Sequence, residues 1–398
     1  MADPVQNSTS PADLLNAINP RIAALPESGI VELVNYGREK QGLIPLWVGE
    51  GDMATPDFVS EAAINALHKG QTFYTYQRGI PPLRRALGKY LSNTYGVDIP
   101  PERTIVTIGG MQAIMETVQM LLGEGDEIVA PSPVWPNITA AVDIVGGQVV
   151  NVPLRFGNAG WTLDLDQIFG ACGPKTKALF INSPGNPTGW MMTREEQIAV
   201  RDFARERGLW IIADEVYGRM VYEMEVAPSF LQICEPDERL IVVNTFSKNW
   251  SMTGWRIGWL VMPEALGQVY ENLVQYNTSG VPTFLQYGAV AALEKGEPFV
   301  KAMTARCAEA RDIVCDALEP LPKVRFARPG GSFYLFLSVD GEPDSRALAF
   351  RLVDEANVGL APGSAFGADS EGYMRLCFGV SPDKLKTAME RLVPVLGR

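Results

Sequence analysis

The sequence predicts an α/β protein: a mainly parallel sheet covered by helices on both faces, followed by a smaller second lobe. Three observations predict it. Short apolar runs alternate with helical patterns through the middle of the chain, and these runs are continuously apolar rather than alternating, as strands covered on both faces are. The first run leads directly into two glycines and a helical stripe. From about residue 291 the pattern changes to a long helix, further strands and a closing helix.

In chain order, the first dozen residues, rich in Pro, Ser, Asn and Asp, read as a mobile tail. Strands are expected at Thr104 to Ile108, Glu127 to Ala130, Val149 to Val152, Ala178 to Asn182, Trp210 to Asp214 and Leu240 to Thr245. After the first, Met111, Ile114, Met115, Val118 and Leu122 form an apolar stripe at helical spacing. Gly109, Gly110 and Met111 then open that helix, where unpaired N–H groups and the positive end of the dipole suit an anion. In the second lobe a helix is expected from Pro298 to Leu318, strands around Gly331 to Val339 and Tyr373 to Phe378, and a last helix from about Asp383.

With 398 residues, 46% of them hydrophobic, the chain can bury a large core and excludes a single short domain. A formal charge of −12 argues against binding nucleic acid or an acidic membrane surface, while leaving local arginines free to hold small anions. The five cysteines, Cys172, Cys234, Cys307, Cys315 and Cys377, show neither a CxxC pair nor a disulfide framework, so no metal site is expected and a reducing cytoplasm fits. The amino terminus lacks a basic n-region and apolar h-region, and no apolar run reaches membrane-spanning length. The glycine pattern Gly49 to Ala54 is discounted as a dinucleotide loop because Thr55-Pro56 follows at once. His68, the single histidine, reads as the last turn of a helix rather than as a catalytic base.

The chemistry concentrates in Asn244-Thr-Phe-Ser-Lys248-Asn-Trp-Ser-Met-Thr-Gly-Trp-Arg256-Ile-Gly. An amine that forms a Schiff base must be fixed near an aldehyde carbon, and a guanidinium among hydroxyls suits a phosphate. Pyridoxal 5'-phosphate carries both groups. Asp214 ends an apolar run, so a carboxylate is delivered to the end of a buried strand, where it either caps a following helix or pairs with a protonated pyridine nitrogen. Tyr217 shares its face if the chain turns helical there. Trp135 offers a flat surface for the ring, Thr245 and Ser247 offer hydroxyls to the phosphate beside Arg256, and Arg375 can clamp a carboxylate with two parallel bonds.

Together with Asn182-Ser-Pro-Gly-Asn186-Pro-Thr-Gly189, Gly49-Glu-Gly-Asp52, Tyr74-Thr-Tyr-Gln-Arg-Gly79 and Tyr373-Met-Arg375, these segments give the chain a close resemblance to fold type I pyridoxal-phosphate enzymes, specifically the class I/II aminotransferases of the aspartate and aromatic type. The resemblance spans nearly the whole chain. It implies a large cofactor-binding domain, 51–290, and a small domain formed from 1–50 and 291–398. It implies Lys248 as the cofactor-bearing amine and proton carrier, and Asp214 on the ring nitrogen. Tyr217 and Asn186 fall on the phenolic oxygen and Arg375 on the α-carboxylate, with Gly49, Trp135 and Asn186 also lining the substrate position. Tyr74 resembles a tyrosine that reaches a neighbouring subunit's phosphate, hence a homodimer with shared sites. Gly51 stands where the family often has proline, and Met111 where a hydroxyl or lysine often stands, so the loop at 109–111 is expected to contribute backbone donors.

The expected reaction moves an amino group between an L-amino acid, aspartate or aromatic, and a 2-oxo acid such as 2-oxoglutarate, by a ping-pong course. A carbon–sulfur β-lyase on the same fold remains an alternative, because Leu46 to Pro56 also resembles that group's loop; a non-catalytic ligand sensor is a second. The cation for a distal carboxylate, among Arg21, Arg78 and others, stays open.

Overall fold

The structure, a computed structural model, describes residues 11–398. At its centre lie seven strands: β1 (Thr104–Thr107), β2 (Glu127–Ser132), β3 (Gln148–Pro153), β4 (Thr176–Asn182), β5 (Trp210–Asp214), β6 (Leu240–Thr245) and β7 (Gly258–Val261). Their spatial order is β1-β7-β6-β5-β4-β2-β3. The pairs β2–β3, β2–β4, β4–β5 and β5–β6 are parallel, whereas β7 runs antiparallel to both β1 and β6.

Successive side chains of each strand enter opposite cores. Ile105, Ile128, Phe180, Ile212, Val243 and Leu260 pack on one face under the helices Gly109–Leu121, Asn137–Ile144 and Gly267–Asn277. Val106, Val129, Leu179, Ile211, Val242 and Trp259 pack on the other under Pro81–Tyr95, Arg194–Arg207 and Thr283–Lys295. That two-sided burial is why the sequence shows unbroken apolar runs. The helix Arg194–Arg207 is closed at both ends, by a capping box of Thr193 with Glu196 and by Gly208 in the left-handed region at φ 66°.

The sequence reading did not separate β7 from the lysine–arginine segment. Its register sets Gly258 opposite Thr107 on one side and Thr245 on the other, drawing the ends of β1 and β6 together. A Cβ at Gly258 would stand 2.8 Å from the Asn244 carbonyl oxygen and 2.9 Å from the Gly109 carbonyl carbon, so this convergence needs glycine.

A second, antiparallel sheet has the order β8-β9-β11-β10, from β8 (Val324–Phe326), β9 (Tyr334–Val339), β10 (Ala361–Pro362) and β11 (Tyr373–Cys377). Its core includes Leu33, Ile44, Leu46 and Trp47 from the start of the chain and side chains of the helices Glu297–Leu318 and Pro382–Leu396. Ile44–Pro45 pairs in parallel with Val358–Gly359 in a separate two-stranded sheet, and the Leu46 carbonyl accepts from the Cys377 N–H of β11 at 2.9 Å, which ties this segment to the second sheet. The strand expected from Gly331 begins at Tyr334, because Ser332 takes a positive φ of 58° just before it. The expected division at residue 290 falls inside the helix Thr283–Lys295, whose Ala289 and Ala292 are buried against the large sheet.

Of the expected tail, residues 1–10 lie outside the described residues, and Pro11–Asn16 forms a short helix that buries no side chain. No helix opens at Gly49 to Ala54; the next begins at Asp57, which removes the dinucleotide-loop reading, and it ends at His68. Among the described residues no helix is long and apolar enough to cross a membrane.

Candidate active site

The C-terminal ends of β4, β5 and β6 and the N-terminus of the helix Gly109–Leu121 border one cavity of about 270 Å³. Open parallel sheets present their loops to ligands at this edge. The second sheet contributes Tyr334 and Arg375, and Ser28, Ile30, Val48, Gly49 and the segment Trp135 to Asn137 also line it.

Asp214, the last residue of β5, is 3% exposed. Its carboxylate accepts a long bond from the Val216 N–H at 3.4 Å and has no ion pair among the described residues. Burial pushes its pKa up to about 7, against the pull of the Val216 N–H and the Lys248 charge. Residues 216–219 form a turn, not the helix considered from sequence, so Asp214 is not a cap. A buried acid lacking a cation and facing a cavity is a site for a cationic ligand group.

Lys248 stands in the single turn Phe246–Asn249 that follows β6. Its Nζ donates to the Gly49 carbonyl at 2.6 Å and lies 5.8 Å and 5.6 Å from the ring centres of Tyr217 and Phe333. Burial lowers its pKa to about 8; Arg375 and, less strongly, Arg256 add to this, while Cys377 and Glu50 oppose it.

Arg375, on β11, is 3% exposed. Its Nη1 donates to Asn186 Oδ1 at 2.9 Å and its Nη2 donates to the Trp47 carbonyl. The guanidinium lies between the rings of Tyr334 and Phe366, at 4.5 Å and 4.7 Å. Its Nε is buried without a partner, and no carboxylate pairs with it among the described residues. A desolvated cation with fixed orientation and unspent donors is built to receive an anion.

Arg256 takes a left-handed φ of 52°, uncommon for a residue with a side chain, which points to a positional demand. Its Nη1 donates to the Thr253 carbonyl at 2.7 Å. The guanidinium lies against Gly109, itself at φ 68°, where a Cβ would come within 2.7 Å of Nη2. Thr245 Oγ1 donates to Ser247 Oγ at 2.9 Å in the same cluster. Gly110 and Met111 border the cavity at the helix start. A guanidinium, two hydroxyls and a helix N-terminus are groups that could hold a phosphate.

Trp135 and Asn186 line the cavity, and the Tyr217 and Tyr334 hydroxyls share a hydrogen bond of 2.8 Å. Gly49 abuts Tyr334, whose hydroxyl would be 2.0 Å from an added Cβ. Tyr74 is 95% exposed and does not line the cavity. Sequence reasoning missed Tyr334 and Asn182. Asn182 Oδ1 accepts from the Asn186 N–H at 2.8 Å, and its amide donates to the Asp214 carbonyl at 3.2 Å, joining the two loops. The paired glycines Gly330-Gly331 ahead of an aromatic run were the one available signal for Tyr334.

The donor set fits pyridoxal 5'-phosphate end to end: an acid for the ring nitrogen, an amine for the aldehyde, a cradle for the phosphate and an indole for the ring face. Fold and site define a fold type I pyridoxal-phosphate enzyme. Residues 41–392 match the family model for aminotransferase class I and II. The chain is 37% identical over 379 residues to the aspartate aminotransferase of Thermotoga maritima, covering 94% of this chain and 98% of that one. It is 35% identical over 386 residues to aromatic-amino-acid aminotransferase 2 of Thermococcus litoralis, covering 96% and 98%. The crystal structure of the Thermotoga maritima aspartate aminotransferase superposes with a TM-score of 0.89, covering 96% of this chain and all of that one. The chain belongs to the class I and II aminotransferases, which use pyridoxal phosphate to act on amino acids and 2-oxo acids. That membership favours amino transfer over the β-lyase and sensor alternatives.

Proposed function

We propose that the enzyme passes an amino group from an L-amino acid of the aspartate or aromatic type to a 2-oxo acid such as 2-oxoglutarate in two half-reactions, the first product leaving before the second substrate enters. The observation that carries this reading is the convergence of a buried amine near pKa 8, a buried acid without a cation and a buried arginine without a carboxylate on one cavity. When bound, pyridoxal 5'-phosphate supplies an aldehyde that captures amines and a protonated ring that withdraws electrons from the substrate's α carbon.

The chain's own groups do the rest. Lys248 Nζ would hold the cofactor's aldehyde end, and the same amine, when free, would be placed to carry a proton between the substrate's α carbon and the cofactor's aldehyde carbon. A pKa near 8 supports both tasks, since a usable fraction is neutral at physiological pH. Asp214 keeps the ring nitrogen protonated. Tyr217 and Asn186 donate to the phenolic oxygen, and Trp135 fixes the ring plane, which decides which substrate bond stands perpendicular to it. Arg256, Thr245, Ser247 and the backbone at Gly109, Gly110 and Met111 hold the phosphate. Arg375, oriented by Asn186 and the Trp47 carbonyl, clamps the α-carboxylate beside Gly49.

In the same reading, 51–290 is the cofactor lobe, 1–50 with 291–398 the smaller lobe, and two copies share their sites through Tyr74. Unpaired thiols at all five cysteines support a cytoplasmic setting. Rapid mixing of holoenzyme with aspartate or an aromatic amino acid should bleach the cofactor's absorption, and a 2-oxo acid should restore it. Steady release of ammonia and pyruvate from cystathionine, without need of an acceptor, would refute transfer.

A further inference from the structure

Gly109 and Gly110 have no side-chain donor and Met111 ends in a thioether, so the phosphate site proposed above depends on main-chain N–H groups at this loop. A helix start leaves its first N–H groups without acceptors inside the helix, and the direction in which the entering chain sets them decides whether they serve an anion. Here β1 ends at Thr107 and the helix begins at Gly109, with Ile108 the single residue between. The reversal is made in one step, with Gly109 at φ 68°.

Gln112 holds that turn from the fourth position of the helix. Its Oε1 accepts from the Ile108 N–H at 2.5 Å, and its Nε2 donates to Thr278 Oγ1 at 2.9 Å and to Glu116 Oε1 at 3.0 Å. The amide therefore has one orientation: turned over, it would set N–H against the Ile108 N–H and oxygen against the Glu116 oxygen. Neither Gln112 nor Thr278 borders the cavity.

Thr278 has a firm footing. It follows the helix Gly267–Asn277, and its N–H and that of Ser279 both reach the Val274 carbonyl, at 3.0 Å and 2.8 Å. At Gly280, whose φ is 106°, a Cβ would stand 2.9 Å from Thr75 Cγ2. The fully buried Gln286 accepts from the Ile80 N–H at 2.7 Å and donates to the Val281 carbonyl at 2.7 Å. The turn is thus pinned on several sides, and all of these contacts lie within one chain.

We propose that Gln112, braced by Thr278, is a positioning residue of the phosphate site: it fixes the turn at 107–109 so that the N–H groups of Gly109, Gly110 and Met111 are presented to the cofactor's phosphate. The inference rests on the phosphate placement in the proposed function and adds the side chains that orient it without touching the ligand. Donors held in place before the ligand arrives bind it more tightly than donors that must first be ordered.

The test is titration of apoenzyme with pyridoxal 5'-phosphate and with pyridoxal, which lacks the phosphate, each Kd being read from absorbance. Gln112→Leu is expected to weaken pyridoxal phosphate by about tenfold, and Thr278→Val, which keeps the shape and removes the hydroxyl, by about threefold, while pyridoxal changes by less than about twofold in both. Thr278→Ser, which restores the hydroxyl, is expected to match wild type. Equal losses for the two ligands would mean a general loosening of the site and overturn the inference, as would unchanged affinities or a Thr278→Ser variant as weak as Thr278→Val. If Gln112→Leu does not fold, the Thr278 pair decides. Wild-type apoenzyme that binds pyridoxal as tightly as pyridoxal phosphate overturns instead the phosphate placement itself.

Discussion

Burial moves Lys248 and Asp214 in opposite directions, to about 8 and about 7, so before the cofactor arrives the amine is partly neutral and the acid partly protonated near physiological pH. The neutral amine is the nucleophile. Because the folded pKa lies below the ordinary lysine value, the neutral fraction grows as pH rises through 8 rather than through 10.5. The rate at which apoenzyme captures pyridoxal phosphate, followed by absorbance, is therefore expected to rise between about pH 7 and 9 and then level off. A rate still climbing steeply at pH 10 would contradict a depressed lysine. Asp214→Asn, which keeps the shape but cannot hold a ring proton by charge, is expected to lower kcat by about 10²- to 10³-fold, with a smaller change in KM. Steady-state kinetics on the variant measures both. Asp214 was legible in the sequence because an acid at the end of an unbroken apolar run has few structural uses. Tyr334 was not: an aromatic residue opening an aromatic strand looks like core until Gly49 and Arg375 are seen against its ring.

At the scale of elements, β1, β2, β4, β5 and β6 could be read because each is buried along nearly its whole length and so leaves an apolar run, whereas the edge strand β3 is largely exposed or half-buried. β7 could not be separated, since four residues after a glycine carry no period of their own and their role depends on pairing with β1 and β6. The helix Gly109–Leu121 was legible at its start, from the glycines, and along its apolar stripe. Its buried Glu116 was not singled out. Glu116 accepts from the Gln112 amide at 3.0 Å, its second oxygen has no partner, and burial pushes its pKa up to about 7. The folded protein thus holds a proton that the unfolded chain gives up above 4.5, so this group costs stability as pH rises from about 4.5 to 7. Glu116→Gln cannot ionise. Its urea midpoint is expected to match wild type near pH 4.5 and to exceed it at pH 8 by an amount equivalent to roughly 1–3 kcal/mol. Parallel urea curves at all pH values would show that Glu116 ionises freely.

On the scale of the whole molecule, Phe73, Tyr74, Tyr76 and Tyr276 are exposed by 84%, 95%, 65% and 88%, an aromatic surface that a monomer in water has little reason to keep. With the proposed role of Tyr74, this predicts a particle of twice 43.5 kDa in sedimentation. Tyr74→Phe is then expected to release the cofactor about tenfold faster with the dimer intact, the scale of one hydrogen bond to a charged group. A monomeric, fully active enzyme would remove that role.

In the proposed reaction the acid, the arginine clamp and the phosphate cradle all serve a cofactor carried by Lys248. Borohydride reduction of the holoenzyme followed by peptide mass mapping measures this directly. A single reduced cofactor adduct is expected on the peptide containing Lys248; an adduct on another lysine, or none in protein saturated with pyridoxal phosphate, would contradict the proposed role of that amine.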